Sequence, residues 1–322
     1  MTCDRCSAEA IILLPYAGVR LCETHLCRSI EKRVRRRIRE DQLISRDLSP
    51  DSPETWVIGL SGGKDSAVLT AILHDIFEQD PRVTLVTLTI HEGIEGYRDE
   101  SLAACTTLAE DLGIEHHVVN YEDEYEIQMD DIATWDDRTM APCAYCGVFR
   151  RDVLERYASD LDADKLLTGH NLDDEAQTAL MNFLEGDVGQ MAKHHEASLG
   201  AFDMRRGTSP FTARAKPLRD IPEREVALYA RIQNLPVHMA ECPHASEAYR
   251  GEIQSLLHAL EDNHPGTRHS IMAGYEQVAA AMAQQSDFDD ERDLHECKTC
   301  GSPTVGDRCR SCELLDVVAG AV

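Results

Sequence analysis

The chain has 322 residues, 43% of them hydrophobic, and a formal net charge of −26 from 58 acidic against 32 basic side chains. That length suits a core domain with appendages; no apolar run approaches the ~20 residues that span a bilayer, and the N-terminus MTCDRCSAEA carries no basic-then-apolar leader. A cytoplasmic protein is expected, its acidic surface adapted to high salt, and its twelve cysteines are not expected to form disulfides there.

Residues 1–27 read as a small metal module. CDRC and CETH supply Cys3, Cys6, Cys22 and His25, two short-spaced pairs that suit tetrahedral zinc. Cys27 reads as a bystander. Residues 28–54 read as a basic helix and a linker. Within EKRVRRRIRE, Lys32, Arg33, Arg35, Arg36, Arg37 and Arg39 are candidate nucleic-acid contacts, unless they only balance an acidic neighbour.

From 55 to 245, strand-like runs (TWVIGL, RVTLVTLTI, IEHHVVNY, DKLLTGH, LPVHMAE) alternate with apolar residues at helical spacing (SAVLTAILHDIF, DESLAACTTLAEDLG, GVFRRDVLERYASDL, EAQTALMNFLEG). The alternation predicts an α/β fold, a parallel sheet with helices on both faces. Cys105 reads as a packed small hydrophobe.

The first strand runs into SGGKDS, residues Ser61, Gly62, Gly63, Lys64, Asp65 and Ser66. This is not a Walker A loop. Ile58 stands where that motif needs its first glycine, and Asp65 where it needs Ser or Thr. What remains is a phosphate turn: the glycines admit an anion to the backbone, and the helix N-terminus supplies N–H donors. Lys64 can offset phosphate charge and Asp65 can hold magnesium. A second loop, LLTGHNLDDEAQT, follows a later strand, where open parallel sheets bind ligands. Gly169 there admits close nucleotide contact. Asp174 is the favoured functional carboxylate, with Asn171 or Asp173 as helix cap.

PCAYCG gives Cys143 and Cys146, and AECPHA gives Cys242; both segments are placed at the carboxyl edge of the sheet. Three such thiols suit sulfur transfer, an iron–sulfur cluster with one open iron, a structural zinc completed by His244, or a redox disulfide. Residues 246–290 read as a helical extension and acidic linker. Residues 291–322 read as a second zinc module, holding Cys297, Cys300, Cys309 and Cys312 in CKTC and CRSC. Arg205, Arg206, Arg214, Lys216 and Arg219 are further candidate RNA contacts.

SGGKDS after a buried strand resembles the PP-loop of the N-type, Rossmann-like ATP pyrophosphatases, which cleave ATP between its α and β phosphates. With the paired cysteines, TGHNLDDEAQT and two zinc modules, the chain resembles the tRNA 2-thiouridine synthetase family over essentially its full length. CGVFRRDVLERYA and LMNFLEGD resemble the archaeal and eukaryotic cytosolic branch. That resemblance implies thiolation of the wobble uridine with ATP and magnesium, yielding AMP and pyrophosphate. It implies a 4Fe–4S cluster on Cys143, Cys146 and Cys242, or alternatively a persulfide. It further implies tRNA as partner, a ubiquitin-like sulfur carrier or free sulfide as donor, and room for a homodimer. The sister branch, acting on a T-loop uridine, often carries Lys where Arg150 stands; a guanidinium is no proton donor at ordinary pH, so Arg150 is assigned to phosphate. A GMP-synthetase-like partner would lack the cysteine sets, and a non-catalytic zinc-bearing adaptor would have no need of SGGKDS. The net charge of −26 predicts that molar KCl, by screening self-repulsion, raises the melting temperature over that in low salt; equal melting in both would remove the high-salt reading.

Overall fold

The N-terminal segment forms a hairpin, β1 (Ile12–Leu14) and β2 (Val19–Leu21), leading into α1 (Glu23–Glu40). In α1, Leu26, Ile30, Val34 and Ile38 recur every four residues and are at most 3% exposed. They form an apolar stripe that joins Trp56 and Ile58 of the sheet in one core. The computed structural model describes residues 1–45, 48–186, 189–191, 210–244, 249–284 and 294–319. Arg205 and Arg206 lie outside these.

The central elements run β3 (Glu54–Gly59), α2 (Lys64–Phe77), β4 (Val83–His91), α3 (Tyr97–Leu112), β5 (Glu115–Asn120), α4 (Tyr121–Tyr125), α5 (Met129–Thr134), α6 (Pro142–Asp160), β6 (Lys165–Leu167), α7 (Leu172–Glu185), β7 (Ala213–Ala215) and α8 (Glu223–Ile232). The five strands pair in parallel in the order β5-β4-β3-β6-β7. Trp56, Val57, Ile58, Leu166 and Leu167 are fully buried, as a parallel sheet covered on both faces requires. The strand order reverses between β4 and β6 around β3, so the crevice for a ligand opens at the carboxyl ends of β3 and β6. The phosphate turn follows β3, and the second loop follows β6.

One predicted strand is absent. LPVHMAE forms no ladder; Leu235 and Val237 instead pack against Leu60, Ala67, Cys105 and Leu108. Its alternation is real, but its backbone finds a loop: the His238 N–H donates to the Gly62 carbonyl (2.8 Å). The fifth strand is Ala213–Ala215, too short for a period to show.

Two further helices, α9 (Tyr249–Asn263) and α10 (Thr267–Gln284), pack on α7 through Ile253, Leu257, Met272 and Tyr275. The C-terminal module has a two-residue hairpin, β8 (His295–Glu296) and β9 (Pro303–Thr304), and α11 (Arg310–Ala319). Leu314 and Val318 of α11 join the core under α6. Among the described residues no helix is long and apolar enough to cross a membrane.

The basic helix is partly internal. Arg33 is ion-paired with Glu225, which is 1% exposed and also accepts from the Tyr16 hydroxyl (2.6 Å). Arg37 pairs with Asp220 and with Asp41 (3.2 Å). Arg36 lies 3.6 Å from Asp220 and 3.7 Å from Glu40. Lys32, Arg35 and Arg39 are exposed. Removing one member of a buried pair strands the other charge. Arg33→Ala should therefore lower unfolding free energy by about 3–5 kcal/mol, and Arg35→Ala by no more than about 0.5 kcal/mol, read as shifts in the denaturant midpoint.

Candidate active site

A cavity of about 690 Å³ opens at the reversal point, lined by Ser61, Asp65, Ser66, Arg150, Gly169 and Asp174 among others. That volume suits a nucleotide-sized ligand. The two loops meet backbone to backbone. A Cβ on Gly169 would lie 2.8 Å from the Asp65 carbonyl carbon and the Ser66 nitrogen. Gly169 thus serves loop packing, a more immediate need than the nucleotide contact expected of it. Gly62 likewise has φ +84°, and a Cβ there would lie 2.5 Å from the Ser101 carbonyl oxygen. The Ser66 hydroxyl accepts from the Ser61 N–H (3.1 Å) and donates to the Gly63 carbonyl (3.1 Å), closing the turn.

Asn171 organises the second loop. Its side-chain oxygen accepts from the Asp173 and Asp174 N–H groups (2.8 and 3.2 Å), while Asp174 accepts from the Asn171 N–H (3.1 Å). This capping box is joined across the cavity by Asn171 Nδ2 donating to Asp65 (2.9 Å). The two aspartates divide their roles. Asp173 is buried, bound to Arg268 (2.9 Å) and to the Glu223 N–H (2.9 Å). Asp174 faces the cavity. Burial pushes its carboxyl up to about 6, against the Asn171 hydrogen bond and with the Asp65 charge adding to the rise. His170, hydrogen-bonded to Thr168 (2.8 Å), is lowered to about 4 by desolvation and then by Lys216, so its ring is neutral at ordinary pH.

Lys64 does not line the cavity; its ammonium bridges Asp65 (3.0 Å) and Glu223 (2.7 Å). Arg150 does line it, and Glu92 fixes it there. The Glu92 carboxylate, 1% exposed just beyond β4, receives Arg150 at 2.7 and 3.1 Å and is also ion-paired with Arg98. Sequence reading passed over Glu92; its one signal is a charge ending the apolar run TLTIHEG.

Arg150 also donates to Cys146 Sγ (3.2 Å). Cys143 donates to the His244 carbonyl (3.5 Å), and Cys146 and Cys242 pack on one apolar cluster. The extended segment after α8 therefore brings Cys242 to the paired cysteines. Two four-donor sets, Cys3, Cys6, Cys22 and His25, and Cys297, Cys300, Cys309 and Cys312, each bring their ligand atoms within 4.8 Å of one another. In those sets Cys6–Cys22 and Cys300–Cys309 are 3.7 and 3.6 Å apart, near the about 3.7 Å edge of a tetrahedron with 2.3 Å metal–sulfur bonds. Asp173, Glu223 and His258 also converge, but Arg268 and Lys64 already neutralise the two carboxylates.

A family model described as a PP-loop domain matches residues 30–241, and one described as the N-terminal LIM domain of the 2-thiouridine synthetase TtuA matches residues 2–27. The chain is 63% identical over 318 residues to the tRNA 2-thiolation protein NcsA of Haloferax volcanii, covering 99% of both. The chain belongs to the PP-loop tRNA 2-thiolation family. It is 35% identical to the cytoplasmic tRNA 2-thiolation protein 1 of Caenorhabditis elegans, covering 97% of this chain and 79% of that one. Among solved structures it superposes on the U34-tRNA thiolase NcsA of Methanococcus maripaludis, described with its [4Fe-4S] cluster, with TM-score 0.79 and 33% identity over 97% and 95% of the two chains. The raised Asp174 carboxyl predicts a pH dependence. Its carboxylate takes up a proton as pH falls through about 6, so cation-dependent ATP binding to the ligand-free protein should weaken about tenfold per pH unit below that point. Calorimetric titration from pH 5 to 8 should show this fall, and Asp174→Asn should remove it.

Proposed function

We propose that this protein replaces the C2 oxygen of the wobble uridine of tRNA with sulfur, consuming ATP to AMP and pyrophosphate. The observation that carries the reading is one cavity edge holding both the PP-loop and, through Arg150, the paired cysteines. The names of relatives at 63% and 33% identity, a tRNA 2-thiolation protein and a U34-tRNA thiolase, support tRNA and the wobble position.

Uracil O2 is a poor leaving group and must be activated. Its attack on the α-phosphate forms an adenylate and releases pyrophosphate. The backbone N–H groups at the start of α2 stabilise the growing phosphate charge. Arg150, held by Glu92, adds a fixed cation. Asp65 and Asp174 would hold magnesium, which when bound neutralises the leaving pyrophosphate. Lys64 reaches phosphate in this reading by leaving Glu223. Sulfide attack at C2 then breaks the C2–O bond and expels AMP.

Cys143, Cys146 and Cys242 would hold a 4Fe–4S cluster, which when bound supplies an open iron for hydrosulfide. Arg150 beside Cys146 fits an anionic group there. The two four-donor sets would hold structural zinc. Sulfur would come from a ubiquitin-like carrier ending in a thiocarboxylate, or from free sulfide; the protein would work in the cytoplasm and could pair as a homodimer. Exposed Lys32, Arg35 and Arg39 remain the basic-helix residues placed to meet tRNA.

In vitro, the anaerobically purified protein should yield 2-thiouridine at the wobble position, seen by nucleoside mass spectrometry, with AMP and pyrophosphate in step. Cys143→Ala should abolish thiolation and cluster iron yet retain ATP-dependent adenylation, because activation precedes sulfur attack. Thiolation confined to the T-loop, or ADP and phosphate as products, would overturn the reading.

A further inference from the structure

Among the described residues, six lysine and arginine side chains line the cavity: Arg98, Arg150, Arg151, Arg214, Lys216 and Arg219. Five of them are ion-paired, to four carboxylates. Arg98 and Arg150 share Glu92, Arg214 holds Glu155 (2.8 Å), Lys216 holds Glu175 (2.7 Å), and Arg219 holds Glu276. Arg151 makes no hydrogen bond or ion pair among the described residues.

Its surroundings make that isolation notable. Arg151 is exposed at the cavity; partial desolvation and the neighbouring Arg214 and Arg150 act against its charge. Its guanidinium folds back over α6, with Nη1 3.5 Å from where a Cβ of Gly147 would stand. Cys143, Cys146, Gly147, Arg150 and Arg151 fall at i, i+3, i+4, i+7 and i+8 of α6, on one helical face. With a 1.5 Å rise, Arg151 lies ~7.5 Å along the axis from Cys146. An exposed cation crowded by two others, with no carboxylate partner among the described residues, is open to an anion arriving from solvent. The phosphate turn and Asp174 occupy the β3–β6 side of the cavity, whereas Arg151 shares its face with the cysteines, where the base must sit to receive sulfur.

We propose that Arg151 binds an RNA phosphodiester next to the target uridine and so docks the base beside the cysteine trio. The inference rests on the tRNA reading above and assigns a contact within it. Phosphate contacts of this kind fix register and orientation without reading sequence.

The test uses the full holo-protein and a tRNA substrate, with affinity measured across a salt series. Arg151→Gln should weaken tRNA binding about tenfold, the scale of one lost charged hydrogen bond. It should also lower the slope of log affinity against log salt by about 0.7, the value of one single-stranded phosphate contact. Arg151→Lys should keep the slope. A tRNA anticodon stem-loop carrying one neutral methylphosphonate beside the uridine should lose affinity for the unmodified protein but not further for Arg151→Gln. Unchanged iron content and melting temperature would show that the variant is folded. Unchanged tRNA affinity and slope in a folded Arg151→Gln would overturn the assignment alone. A loss of ATP affinity in place of tRNA affinity would also overturn it, moving the guanidinium to the nucleotide. Failure of the unmodified protein to bind tRNA at all would bring down the underlying reading with it.

Discussion

The site depends on how closely two loops approach. Strands β3 and β6 are neighbours, with Ile58 opposite Leu167, so the chains leaving them start one strand spacing apart, about 4.8 Å. Gly169 is then pressed against the Asp65–Ser66 backbone, and no side chain could stand there without moving the phosphate turn. The Asn171–Asp65 hydrogen bond locks the same contact from the side. Asp65 and Asp174 face each other only because this contact holds, and their mutual repulsion adds to the burial that raises Asp174.

The cavity manages its charge by local pairing. Glu92 is the clearest case: one buried carboxylate serves two arginines, and one of these touches a cysteine sulfur. A fixed guanidinium costs no reorganisation when an anion arrives. Lys64 contrasts with it, since its flexible stem is parked on Asp65 and Glu223 and can be redirected. The site therefore has one cation fixed at the cavity and another held just outside it.

Much of this was legible in the sequence. SGGKDS and TGHNLDDEAQT announced themselves because a phosphate turn and a helix cap each need particular residues at fixed spacing, and the structure joins them on one cavity. The four-donor sets were legible for the same reason. LPVHMAE misled because alternation reports which side chains are buried, not whether the backbone has a strand beside it. Ala213–Ala215 was hidden by its length. Arg33 and Arg37 looked like their exposed neighbours because their partners, Glu225 and Asp220, lie 192 and 183 residues away in the chain. Glu92 was hidden for a related reason: both its arginines approach through the fold.

The stripe of Leu26, Ile30, Val34 and Ile38 has a bearing on modularity. The N-terminal finger resembles an exchangeable cassette, tied on by a linker. Yet its helix is one wall of the catalytic core, sharing apolar contacts with Trp56 and Ile58 and anchored through Tyr16 and Arg33 to Glu225. Deleting it would uncover a greasy flank of the sheet and leave Glu225 buried without its counter-charge. The finger is thus packed into the domain it faces, and a change on either side of that seam is felt by the other.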